Sequence, residues 1–253
     1  MRGGLDNPFA VLAVSLVALW LAAQIGWLFH KFGRALGEDE RGDFDTLQAA
    51  ALTLLGLVIG FTFSMAVSRY DQRKNLEAAE ANAIGTEYLR ADLLPPDNAQ
   101  TVRTLLRRYA DLRISYYETS GENQLARING DTTKLQGELW SAVLPAAAKQ
   151  PTPVVTLAIS GMNDVLNSQG YTQAAWWNRI PIAAWEMMGL IAIACNLLVG
   201  YGAHRRSVFL LLILPIIVSL AFFLIADIDS PQGGIIRVLP QNLIAQAQSM
   251  KAN

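Results

Sequence analysis

The sequence predicts an all-α polytopic membrane protein, with four transmembrane helices and a helical soluble insert between the second and third. Three observations predict it. The 253 residues are 52% hydrophobic and only 16% charged, with a mean hydropathy of +0.27, too apolar for an ordinary soluble domain. The charges are also absent in blocks: a bilayer core about 30 Å thick needs about 20 helical residues without exposed charge, and several windows of that length occur. Finally, the segment between the second and third windows is rich in helix formers, and no run of any length alternates with the two-residue period of a strand.

The first window, Pro8 to Phe29, carries no Asp, Glu, Lys or Arg. Its apolar stretch is longer than the core of a secretory signal and lacks a small-residue cleavage site, so it reads as a retained span. Thr46 to Ser68 and Ser207 to Ala226 are equally free of charge, and Ile180 to Ala203 carries only Glu186. Trp20 and Trp27 near the end of the first window, and Trp176, Trp177 and Trp185 around the start of the third, sit where amphipathic rings anchor at headgroup depth. Pro215 predicts a kink in the fourth span.

Residues 69 to 179 hold twelve basic and twelve acidic side chains. This neutral composition makes the segment aqueous and gives boundaries at 1–68, 69–179, 180–229 and 230–253. No proline interrupts the chain from Thr46 to Leu94, so one helix is expected to leave the membrane unbroken as a stalk, about 70 Å long in all. Gly85 is its weakest link. Pro95-Pro96-Asp97-Asn98 predicts a turn, with Asp97 or Asn98 as N-cap of a helix whose apolar face is Val102, Leu105, Leu106, Tyr109 and Leu112. Polar turns at Ser120 to Asn123 and at Asn129-Gly130-Asp131 precede a helix through Leu135, Leu139, Trp140, Val143 and Leu144, bounded by Pro145 and Pro151. Thr152-Pro153 has N-cap and N1 chemistry for another, to about Ser168. The tail from Ile235 to Met250 stays unassigned.

Composition excludes several function classes. One cysteine, Cys195, allows no disulfide within the chain. Twenty Lys and Arg against twenty-one Asp and Glu leave no basic excess for nucleic acid. The two histidines, His30 and His204, lie at span ends, and two ligands define no metal site. No phosphate loop, nucleophile elbow or metalloprotease motif occurs, so neither an enzyme nor a cofactor is expected. An even number of spans places both termini and the insert on one side. The basic residues near the membrane, five on one side and six on the other, do not say which side is cytoplasmic.

Two strings carry a resemblance: LLGLVIGFTFSMAVSRYDQRKNLEAAEANAIGTEYLRADLLP at 54–95 and FLIADIDSPQGGIIRVLPQ at 223–241. In order and spacing the chain resembles the bacterial bestrophin-like domain family. That resemblance implies a homo-oligomer, a pentamer by analogy with bestrophin channels. It also implies a central path for small inorganic ions, anions slightly favoured, lined by the second span with a phenylalanine-bearing neck. It places the protein in the bacterial inner membrane with the insert and both termini cytoplasmic. Two features depart from the family pattern. Thr62 separates Phe61 from Phe63, and the acidic run that binds calcium after the fourth span in animal bestrophins is reduced here to Asp227 and Asp229, too few oxygens to carry calcium gating over.

The residues themselves leave two readings open. Gly56, Gly60, Ser64 and Ser68 are spaced by four, a pattern that lets helices pack closely. Helical steps beyond the membrane reach Asp71, Asn75, Ala78 and Asn82 with no apolar seam, as along a hydrated path, where Phe61 or Phe63 would form the constriction. Residues two apart point about 200° around a helix, so at most one ring faces an axis. Glu186, beside Trp185, is either a headgroup-depth carboxylate or part of an ion pathway. Glu77, Glu80 and Glu87 on the stalk and Arg103, Arg107, Arg108 and Arg113 on the next helix read either as packing of the two helices by ion pairs, each weak when exposed, or as a charged vestibule. A non-conducting membrane scaffold or sensor, whose insert docks a cytoplasmic partner, is the alternative function.

Overall fold

The computed structural model describes residues 7–32, 37–149, 151–203 and 208–252, and every regular element among them is helical. The chain divides into two compact units, Met1–Arg69 with Arg179–Ile236, and Tyr70–Asn178 with Arg237–Asn253. One helix, α2 (Glu38–Arg90), runs without a break through residues of both.

The first unit holds α1 (Pro8–Phe32), the first half of α2, α6 (Ile182–Gly202) and α7 (Val208–Asp229). These four carry the stretches long and apolar enough to cross a membrane, as the charge-free windows predict. Helix α1 opens where Asn7 Oδ1 accepts the N–H groups of Phe9 and Ala10 at 3.1 and 3.3 Å. It crosses α6 at two glycines: a methyl group on Gly26 would overlap the carbonyl oxygen of Leu197, and one on Gly200 would overlap that of Ala23. Close approach of this kind replaces the hydrophobic drive that helices lack in lipid. The Phe44 and Tyr201 rings meet at 5.5 Å, and Arg69 on α2 pairs with Asp229 at the end of α7 at 3.6 Å. Pro215 lies inside α7.

Helix α2 starts two turns before the apolar window, with Glu38 to Asp45 already helical. Glu40 suits the positive helix terminus and reaches back to the N–H of Gly37 at 2.8 Å.

The second unit contains the rest of α2, a 3-10 turn (Ala91–Leu93), α3 (Pro96–Glu118), α4 (Glu122–Lys149), α5 (Pro153–Trp177) and α8 (Gln241–Ala252). Its core is built on Ile84, Val102, Leu106, Tyr109, Leu139, Val143 and Met162. Several sequence-level boundaries move. The cap of α3 is Pro95 with Pro96 at N1, and Asp97 falls in the first turn. Asn129-Gly130-Asp131 is no turn: α4 runs straight through it, because the buried Leu125, Ile128, Thr132 and Leu135 hold one continuous face to the core. Pro145 is likewise inside α4. Thr152 does cap α5, its Oγ1 accepting the Val155 N–H at 3.3 Å, but the helix passes Gly170 and ends at Trp177. Gly85 leaves α2 intact and makes room for Gln246 of α8. The unassigned tail thus becomes α8, whose Leu243 and Met250 are buried.

Candidate functional site

In the first unit, α2 has two unlike sides. Leu55, Thr62 and Ala66 are buried, whereas Gly56, Gly60, Ser64 and Ser68 are exposed on the single chain. At 100° per residue the midlines of the buried set and of the small-residue stripe lie about 160° apart. A methyl group added at Gly56 or Gly60 would meet nothing within 4 Å. Neither glycine is therefore spent on packing inside this subunit, unlike Gly26 and Gly200. Thr62, the residue between the two rings, turns inward and donates to the Val58 carbonyl at 2.8 Å.

Phe61 is 66% exposed and Phe63 37%. They flank the stripe on opposite sides, each about a quarter turn from its midline. Their neighbours differ. One turn before and after Phe61 stand Leu57 and Met65, both exposed, so the three make an apolar row beside the stripe. Phe63 lies between Ile59 and Val67, both half-buried. The phenylalanines drew attention in the sequence and Leu57 did not; the signal that would have found it is the four-residue repeat of Leu57, Phe61 and Met65.

In the second unit, considered by itself, Asp71, Asn75 and Asn82 are exposed on α2. The α2 glutamates behave otherwise: Glu77, Glu80 and Glu87 are all buried, so they are not open to a vestibule, and the expected ion pairing between the two helices is met by Glu80 with Arg113, buried rather than exposed. Glu80 accepts from Arg113 Nε at 2.5 Å, Arg113 Nη2 at 3.4 Å, Tyr117 Oη at 3.5 Å and Thr172 Oγ1 at 3.2 Å. The remaining face of the Arg113 guanidinium lies over the Tyr116 ring, 4.5 Å from its centroid. Burial pulls the Arg113 pKa down, but the Glu80 carboxylate outweighs it and the net shift is upward. Burial, reinforced by Glu80, raises the Tyr117 hydroxyl. Glu77 accepts from Asn242 Nδ2 at 2.6 Å and from the Leu243 N–H at 2.9 Å, so it caps α8 from across the fold. Arg103 pairs with Asp92 and Arg108 with Glu138, while Arg107 donates to the Met250 carbonyl at 2.8 Å.

The family model of the Bestrophin-like domain matches residues 16–243, nearly the whole chain. The protein belongs to the Bestrophin-like family. No curated protein sequence matches it. Solved structures do, and three are crystal structures of single-residue variants of a bacterial bestrophin homolog from Klebsiella pneumoniae. One is 15% identical with a TM-score of 0.66, covering 95% of this chain and 94% of that one. The second is 16% identical at 0.67, covering 95% and 96%, and the third 15% identical at 0.66, covering 97% and 96%. The fold is thus shared from end to end with bestrophin homologues.

In this bestrophin-like chain the acidic residues after the fourth span are engaged by protein groups. Asp227 accepts the N–H groups of Ile235 and Ile236 at 2.7 and 2.8 Å. Asp229 accepts the Ile180 N–H at 3.2 Å with either oxygen and faces Arg69. Among the described residues no three His, Cys, Asp or Glu side chains stand close enough to hold a metal ion. Glu186 is exposed in the second turn of α6, apart from the stripe residues in sequence and element. Cys195 is buried in the same helix. The ring of His30 packs edge-on to Tyr201 at 5.6 Å; His204 lies outside the described residues.

Proposed function

We propose that this bestrophin-like protein is a subunit of a homo-oligomeric ion channel, pentameric by family resemblance, whose α2 helices line a central path across the bacterial inner membrane. The observation that carries the reading is the two-sidedness of α2. Its small and polar stripe is turned away from the subunit's own core, in a helix whose opposite side is buried there. A stripe that served packing within the subunit would be covered by it. Several copies around an axis bring Gly56, Gly60, Ser64 and Ser68 to the path, with Asp71 and Asn75 continuing it. The exposed row of Leu57, Phe61 and Met65 favours Phe61 over Phe63 as the constriction, since narrow apolar rings gate by dewetting. The insert and termini are assigned to the cytoplasm, and the resemblance tilts the permeant ions towards anions. Family membership also argues against an enzyme.

A non-conducting scaffold is the second reading, favoured by the same exposed glycines if they pack subunit against subunit. Ion flux into liposomes containing the Phe61→Ala and Phe63→Ala proteins separates the two. The channel reading predicts a higher resting leak for Phe61→Ala than for Phe63→Ala. Tight vesicles for wild type and both variants, with the oligomer intact, support the scaffold.

A further inference from the structure

Glu87 stands apart from the other buried α2 glutamates. Glu77 and Glu80 spend their oxygens on donors, but Glu87, fully buried, has no hydrogen-bond partner at either oxygen. Helix α5 meets it at Gly161. A methyl group there would overlap Glu87 Oε2 and come within 2.5 Å of Arg90 Nη1, so the glycine is what lets α5 seat against this carboxyl.

The charges acting on it are Arg90 from its own helix and Asp164 from α5, three residues beyond Gly161 and exposed. Charged groups on the neighbouring elements are engaged elsewhere: Arg113 of α3 with Glu80, Arg103 of α3 with Asp92 of the 3-10 turn, and Glu138 of α4 with Arg108. Burial raises the Glu87 carboxyl from its ordinary 4.5 to about 8, with Arg90 opposing the rise and Asp164 adding to it. A carboxyl without donors in a dry contact is tolerated when neutral and costly when charged.

We propose that the Glu87–Gly161 contact is a proton-operated catch between α2 and α5: the neutral carboxyl allows α5 to seat, and release of its proton to solvent unseats α5 around Gly161. Once charged, the carboxylate needs donors that the seated contact does not give it: Arg90 Nη1 already lies beside Gly161 without bonding either oxygen, so the helices part to admit water. The catch goes beyond ion conduction and does not depend on it. Under the channel reading, it gives α2, the helix lining the path, a sensor for alkaline pH.

Amide hydrogen exchange on the intact oligomer tests it, with rates corrected for the intrinsic base catalysis of exchange, between pH 6 and 9.5. In wild type, protection of the α5 segment around Gly161 should fall about ten-fold or more across a transition near pH 8. Glu87→Gln, isosteric and always neutral, should hold the low-pH value throughout. Asp164→Asn, an exposed change that leaves packing alone, should move the midpoint down, and Arg90→Gln should move it up. A wild type with no transition, or a Glu87→Gln protein that keeps it, overturns the catch; so does a midpoint unmoved by Asp164→Asn. Flux is read separately, and an oligomer that does not conduct yet shows the transition upholds the catch while contradicting the channel.

Discussion

Glu80 and Arg113 form an ion pair with neither side chain accessible to solvent, joining α2 to α3 inside the soluble unit. Tyr117, Thr172 and the Tyr116 ring supply the remaining contacts. A pair so enclosed is strongly coupled, and removing one partner strands the other. Arg113→Met should cost about 3–5 kcal/mol in denaturant unfolding, and Glu80→Gln added to it should recover part of that loss. Because the pair is dry, its contribution should change little between low and high salt. An Arg113→Met protein as stable as wild type would show that the pair is dispensable.

Gly26 and Gly200 should tolerate no side chain, because each meets the opposing backbone rather than a movable side-chain end. Gly26→Leu and Gly200→Leu are expected to separate α1 from α6 and abolish recovery of the oligomer by size-exclusion chromatography. Gly56→Ala, with open space around it in the subunit, should be recovered normally if the stripe faces a path. Loss of assembly from Gly56→Ala alone would place the stripe in a packed subunit contact instead.

Asp227 holds two backbone N–H groups of the segment after α7. Asp227→Ala leaves both donors without their carboxylate and should lower stability by about 1–3 kcal/mol, read as a lower Tm. Calcium should leave the wild-type Tm unchanged, since both carboxylates are already engaged. A calcium-induced rise in Tm that disappears in Asp227→Ala would contradict this assignment.

The Glu87 shift fixes the sign of a pH effect on stability. With its pKa raised from 4.5 to about 8, the folded chain keeps a proton that the unfolded chain releases in that range. The stability contributed is fully present below pH 4.5, declines with rising pH and is gone above pH 8. The slope is at most about 1.4 kcal/mol per pH unit. Glu87→Gln should flatten the fall in unfolding midpoint over this window. Parallel pH profiles for the two proteins would mean that Glu87 ionises in both states alike.

The four spans were legible because lipid forbids exposed charge, a rule that Pro8 to Phe29 and Ser207 to Ala226 display residue by residue. What sequence could not display was depth in the soluble unit. Glu77, Glu80 and Glu87 were legible as ion-pair candidates for the arginines of the next helix, as Glu80 and Arg113 prove to be, but not as groups that α3, α5 and α8 close over. Asn242, which donates to Glu77, and Gly161, which packs on Glu87, lie far along the chain. The same distance hid α8, which depends on a cap from Glu77. Asn129-Gly130 looked like a turn because local propensity was weighed without Ile128, Thr132 and Leu135, whose burial holds the helix straight. On α2 the stripe was legible as a pattern, and the structure added which side of the helix it occupies and that Leu57 and Met65 extend the row of Phe61.

The central claim is that α2 lines an ion path, and conductance tests it most directly. The purified oligomer, its assembly verified, is reconstituted into planar bilayers and measured with chloride, sodium and potassium gradients across voltage. Discrete single-channel currents that change in amplitude or open time with Phe61→Ala are the predicted result. Silence from wild type and Phe61→Ala alike, under every ion and voltage, would contradict the account.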